Sequence, residues 1–135
     1  MASSKPVNER FVLQLGNFSR ALSRLGEVLQ RPEDDVVRDA LIQRFEFTFE
    51  MAWKTLFRYL SGKGEKVAAK AWDVLPLAFE SRLIEDAEVW DRLREYRNDT
   101  SHEYNEAKAI EVAAFVRGSG YAALQALHAE MARRA

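Results

Sequence analysis

The sequence predicts an all-α fold, an antiparallel four-helix bundle with one additional short helix, and three observations carry that prediction. Apolar residues recur at spacings of three and four along most of the chain, the signature of amphipathic helices. No Gly or Pro interrupts the chain between Glu33 and Ser61, where good helix formers flank the one strand-like alternation. The stretches between periodic segments are short, which joins neighbouring helices in antiparallel fashion.

The first helix runs from Phe11, with Phe11, Leu15, Phe18, Leu22, Leu25 and Leu29 on one stripe. Arg31-Pro32-Glu33-Asp34-Asp35 then combines a breaker with N-cap candidates and acidic residues suited to the positive end of a second helix. Within that helix Phe45-Glu46-Phe47-Thr48-Phe49-Glu50-Met51 alternates as a half-buried strand would. The absence of Gly and Pro between Glu33 and Ser61, and the stripe Leu41, Phe45, Ala52, Leu56 and Tyr59, favour a helix instead. The alternation then creates a second apolar face of Phe47, Phe49, Trp53 and Phe57, so this helix is either central or pressed against another chain. Phe47, Trp53 and Phe57 are accordingly the candidates for a dimer or partner interface. Glu46 and Glu50, four apart on one face, need Lys54 or another cation.

Gly62-Lys63-Gly64-Glu65-Lys66 reads as a turn, since a phosphate-binding P-loop needs more residues, a following hydroxyl and a preceding strand. Ala68 to Ser81 forms a shorter helix presenting Ala71, Trp72, Leu75, Ala78 and Phe79, bent at Pro76. Asp86 caps the next helix, with Val89, Trp90, Leu93, Tyr96 and Thr100 inside, running towards His102 and Tyr104. Asn105 caps the last, which carries Ala109, Val112, Ala113, Val116, Ala123, Leu127 and Met131 inward and His128 on the surface. Gly118-Ser119-Gly120 marks a kink or a close helix contact within it.

With 47% hydrophobic and 30% charged residues the chain is of globular type, and its size suits one domain over 8–135 behind a disordered tail at 1–7. The lack of Cys excludes disulfides, thiolate metal sites and cysteine nucleophiles. One His beside scattered carboxylates is no metal signature either, so neither a metal nor another cofactor is expected. No uncharged stretch approaches the roughly 20 residues of a membrane span, and Met1 to Pro6 holds no signal-type apolar run, which predicts a cytoplasmic protein without membrane contact. A net charge of −1 argues against nucleic-acid binding by bulk electrostatics, leaving local cationic clusters as the route to RNA.

Chemistry concentrates in Arg92-Leu93-Arg94-Glu95-Tyr96-Arg97-Asn98-Asp99-Thr100-Ser101-His102-Glu103-Tyr104. Arg offers a forked donor set that matches phosphate, and His exchanges protons near neutrality. Arg97 and His102 are the candidate catalytic pair. On one straight helix, residues five apart diverge by about 140°, so the helix ends between them or the site is composite. Asn98 shares a face with His102 and is placed to orient its imidazole. Arg94 and Lys54 are candidates for phosphate contacts of RNA or a nucleotide. A two-fold dimer would bring two Arg and two His into one cleft.

Arg97-Asn98-Asp99-Thr100-Ser101-His102-Glu103-Tyr104 resembles the R-x4-H-x-Y motif of HEPN domains. Gln43-Arg44-Phe45-Glu46-Phe47-Thr48-Phe49-Glu50-Met51-Ala52-Trp53-Lys54-Thr55-Leu56 is similar to the corresponding helix of the nucleotidyltransferase substrate-binding protein branch of that group. The likeness extends from about Phe11 into the last helix; the N-terminal tail and Gly118-Ser119-Gly120 depart from it. The resemblance implies a homodimeric HEPN-like bundle, joined with a cognate minimal nucleotidyltransferase in a heterotetramer or larger complex as a toxin–antitoxin pair. It implies a metal-independent RNA endonuclease working through Arg97 and His102, or alternatively a non-catalytic subunit that binds a nucleotide or substrate for the transferase. It further implies that Tyr104 accepts adenylyl groups from the partner, which would set charge and bulk where an RNA phosphate must sit.

Overall fold

The computed structural model describes the backbone of residues 5–102 and 104–135, and the side chains of that span from residue 9 on. The expected tail at 1–7 falls largely on residues 1–4, outside the described residues, and α1 spans Lys5–Leu29. It is followed by α2, Asp35–Gly62; α3, Ala71–Glu80; α4, Ala87–His102; α5, Glu106–Phe115; and α6, Tyr121–Arg134. Among the described residues there is no strand, and no helix is long and apolar enough to cross a membrane.

The caps follow the sequence. Asp34 accepts the amide of Val37 at 2.8 Å, Asp86 that of Val89 at 3.2 Å, and Asn105 that of Lys108 at 2.8 Å, each satisfying a donor at the start of a helix. The Phe11 to Leu25 stripe of α1 is buried, and the seam continues through Val28, with Leu29 only partly covered. Three side chains of α2 lock this antiparallel pair by bonding carbonyls of α1 in reverse order: Arg44 to Arg24 at 2.7 Å, Thr48 to Ala21 at 3.1 Å, and Thr55 to Gln14 at 3.4 Å.

Helix α2 is the centre of the bundle and touches each of the other five helices. That explains its two apolar faces. Phe45 and Phe49 are fully enclosed, with Phe49 6.3 Å from the Trp90 ring of α4. Trp53, expected at an interface, is only 8% exposed inside the chain's own core, with its indole nitrogen 3.2 Å from Glu50. Phe57 is partly buried, and Phe47, at 56% exposure, is the aromatic that α2 leaves in solvent.

Two other expectations change, on α3 and at His128. Helix α3 starts at Ala71, and Val74, Leu75 and Ala78 form its buried side while Trp72 and Phe79 point outward. A helix this short, with apolar residues all round, can bury only the side that meets α2 and α4. His128 packs its ring edge on Phe18 at 5.5 Å and is half-buried, because α6 runs alongside α1. At Gly118-Ser119-Gly120, expected to mark a kink or a close helix contact, Val116–Gly120 forms a π-helical turn through which α5 passes into α6 with helical backbone on both sides. The close contact is at Gly120, where a Cβ would lie 3.0 Å from Leu93 of α4.

Candidate functional site

Helix α4 carries the candidate residues and continues through His102 without a break. Of the two geometries open to the sequence, the structure therefore has the one in which Arg97 and His102 diverge. Arg97 turns towards α2. Its Nη1 lies 3.7 Å from Glu46 Oε2 and also bonds the Ser101 hydroxyl, while its Nε is buried without a hydrogen-bond partner among the described residues. Thr100, buried in the same seam, donates to Glu46 Oε2 at 2.5 Å. Glu46 thus holds both a cation and a hydroxyl of α4.

His102 lies in the exposed last turn, where a cation is favoured by the helix dipole. Asn98 is exposed one turn earlier on the same side, and neither side chain hydrogen-bonds within the described residues. Arg94 occupies the turn before that, so Arg94, Asn98 and His102 form one outward stripe. Its guanidinium stacks on the Trp72 ring of α3 at 3.5 Å from the centroid. Lys54 is spent on its own helix, 3.8 Å from Glu50 and 5.9 Å from the centre of the Trp53 ring. Both glutamates of the α2 pair therefore find a cation, Glu50 within its helix and Glu46 across the bundle.

Tyr104 leaves α4 and crosses to α2, where its hydroxyl donates to Asp39 at 2.6 Å. This hydrogen bond to a carboxylate, reinforced by partial burial, pushes the phenol up to about 12. The ring remains 51% exposed beside a shallow cavity of about 170 Å³ lined by Asp35, Arg38, Asp39, Glu106 and Ala109. On the other side of α4, Tyr96 donates to Glu111 at 2.7 Å and accepts from Arg92 at 3.4 Å, while Lys108 bridges Asp99 and Glu111 at 3.5 and 3.7 Å. Tyr96 holds its proton above the ordinary phenol range, mainly through burial and then through Glu111. These bonds fix the motif helix between α2 and α5.

Spacing alone missed Glu46 as the partner of Arg97, Asp39 as the partner of Tyr104, and Thr100 and Ser101 as the hydroxyls around Arg97. For Glu46 the signal was present, because a carboxylate with Ile42 and Glu50 at its i±4 positions has no cation within its own helix. Asp39 carried no such mark. No three His, Asp or Glu side chains among the described residues converge as a metal site would require.

A helical bundle whose fourth helix carries Arg97 and His102, with Tyr104 just beyond its end, is of HEPN-like architecture. Residues 13–133 match the model of the family described as nucleotidyltransferase substrate binding protein like, and the chain belongs to that family. Among curated proteins it is 34% identical over 88 residues to the Probable ribonuclease HepT of Haemophilus influenzae, covering 59% of this chain and 60% of that protein. The chain thus matches less than two thirds of that relative's length. Among solved structures it is similar to a crystal structure from Thermus thermophilus, with a TM-score of 0.75 and 31% identity over 84% of this chain and 98% of the other. The shared fold confirms the all-α bundle.

Proposed function

We propose that this protein is a metal-independent endoribonuclease of HEPN type, the toxin of a pair neutralised by a cognate minimal nucleotidyltransferase. The reading is supported by the HepT relative and the family membership, but one observation carries it: α4 runs unbroken through Arg97 and His102 and sends them to different sides. A single chain does not offer both to one phosphate. A second copy related by a two-fold axis supplies the missing side chain, and the same operation doubles the site. Phe47 with the exposed edge of Phe57 is the apolar surface for that contact, burying upwards of about 2,000 Å² in an obligate dimer.

In the dimer, one His102 takes the proton from a ribose 2′-hydroxyl as its oxygen attacks phosphorus, and the other returns a proton to the 5′-oxygen as the P–O5′ bond breaks. Arg97 stabilises the charge gathering on the phosphorane, and Asn98, one turn before His102 and not bonded to it in the single chain, takes up the imidazole in the assembled cleft. The products are a 2′,3′-cyclic phosphate and a free 5′-hydroxyl. Tyr104, half exposed at the end of the same helix, is where the nucleotidyltransferase silences the enzyme: adenylylation would place phosphate and nucleoside beside the cleft.

Protein freed of its partner is expected to cut RNA in the presence of EDTA. His102→Ala and Arg97→Ala should each lose about 10²–10⁴-fold of that activity, the contribution of one acid–base or charge-stabilising group. Full activity in both variants, or its loss with EDTA, would overturn the reading. The family description favours a second reading, in which the bundle only holds a nucleotide for the transferase; nucleotide binding without cleavage by the purified dimer would establish it.

A further inference from the structure

Trp72 is the anomaly of the surface. The chain has three Trp; Trp53 and Trp90 are buried, whereas Trp72 is 69% exposed. One face of its ring is covered by the Arg94 guanidinium, 3.5 Å from the centroid, a cation–π stack that favours one orientation of the indole. Arg94 makes no ion pair with the described residues, so its planar face is committed to the indole. Asn98 and His102 follow at four and eight residues along the same side of α4, which puts His102 about 12 Å from Arg94 along the helix, the rise of three to four stacked nucleotides.

The chain segment that runs into Trp72 is cationic, although the net charge of the whole chain is −1. Between Arg58 and Trp72 the sequence holds Arg58, Lys63, Lys66 and Lys70 against Glu65 alone. Lys63, Lys66 and Lys70 are exposed, and none is paired with a carboxylate among the described residues. Lys70 is the N-cap residue of α3, two residues before the indole. An exposed aromatic plane backed by an arginine, with unpaired lysines leading to it, is the surface that binds unpaired nucleotides: the ring takes a base, the lysines take the backbone.

We propose that Trp72, backed by Arg94, is a stacking platform for an unpaired base of single-stranded RNA a few nucleotides from the phosphate cleaved at His102. The proposal rests on the ribonuclease reading and names its substrate class, single-stranded rather than duplex RNA, whose stacked bases would not reach the indole. Arg94 then acts through the ring, and the phosphate contacts expected of it from the sequence pass to Lys66 and Lys70. Asp91, three residues before Arg94 on α4, and Asp73 beside Trp72 favour a neutral base over a phosphate at this spot.

The three Trp make the test direct, because an RNA seated on the platform quenches the one exposed indole. The partner-free protein is titrated with a 2′-O-methyl hexa-adenylate, which lacks the nucleophile for cleavage. Fluorescence should be quenched, and in Trp72→Ala the residual emission of Trp53 and Trp90 should stay constant. By competition, Trp72→Ala should bind about 5- to 150-fold more weakly, the worth of one stacked base, and Trp72→Phe should recover part of the loss. Cleavage of unmodified RNA should show the same change in KM with kcat nearly unaltered, and a duplex of the same sequence should compete poorly. Cleavage that proceeds without quenching, or a Trp72→Ala protein that sediments as a monomer where the wild type is a dimer, overturns the platform and makes the ring a spectator or a contact between copies. Wild-type protein that neither binds nor cuts RNA overturns the ribonuclease reading beneath it.

Discussion

Arg97 of α4 faces Glu46 of α2 at 3.7 Å, so the cation proposed to meet the scissile phosphate is held by a carboxylate in the free chain. A phosphate must displace Glu46 or share the guanidinium with it. Glu46→Gln removes the competing charge while its amide oxygen still accepts from Thr100. KM for RNA is expected to fall about 2- to 5-fold, the usual worth of a partly exposed ion pair, with little change in melting temperature. Glu46→Ala also removes the shorter of the two acceptors of the buried Thr100 hydroxyl, leaving it the Arg97 carbonyl at 3.2 Å, and should cost about 0.5–1.5 kcal/mol of stability in a denaturant titration.

The Tyr104–Asp39 bond makes a prediction at alkaline pH. The phenol is raised to about 12 against an ordinary value near 10, so the folded state is favoured while the ring keeps its proton. That contribution is full below about pH 10 and is lost as pH rises towards 12. Absorbance titration should find a late-ionising tyrosinate that Tyr104→Phe removes and Asp39→Asn moves back towards 10.

Glu33 makes the opposite prediction in acid. Burial works against its ionised form, but hydrogen bonds from Arg38 at 2.8 Å and Arg117 at 2.9 Å outweigh it and hold the carboxyl below the usual range. The stability this pair of contacts adds is present above the unfolded value and disappears as pH falls below about 4. Melting temperatures of wild type and Glu33→Gln should differ at pH 7 and converge in acid.

Two glycines of the π-helical turn should respond with opposite sign. A Cβ at Gly118 meets no heavy atom within 4 Å, so Gly118→Ala should gain up to about 1 kcal/mol in helix propensity. At Gly120 it would press at 3.0 Å on a Cδ methyl of Leu93, a side chain fully enclosed in the core. Gly120→Ala should lose about 1 kcal/mol or more, measurable by thermal unfolding.

The fold was legible wherever one stripe of side chains meets one neighbour. The α1 stripe, the helical reading of Phe45 to Met51 and the caps at Asp34, Asp86 and Asn105 all follow from local rules. Where an element has apolar residues on several sides, periodicity no longer selects the buried one. Trp53 turned inward because α2 is surrounded, while Trp72 and Phe79 stayed outside because α3 is short and covers only its partners. In the site, residue type and spacing singled out Arg97, Asn98 and His102 as candidates and the family resemblance added Tyr104, but the contacts of Arg97 and Tyr104 with Glu46 and Asp39 depend on how α2 lies against α4. That is a tertiary relation without a local signature.

The π-helical turn also bears on how this chain tolerates changes of length. Buried residues on and around it, Ala109, Val116, Leu124 and Met131, step by seven, eight and seven positions, so the step that contains the turn is one residue longer than a heptad. Such a turn is what a single insertion into an ordinary helix leaves behind, the surplus residue being looped out so that both flanks keep their seating. Ser119, exposed within it, is the natural surplus. Homologues one residue shorter here would carry a straight rod in the same groove, and the reading frame of the core would pass the indel unchanged.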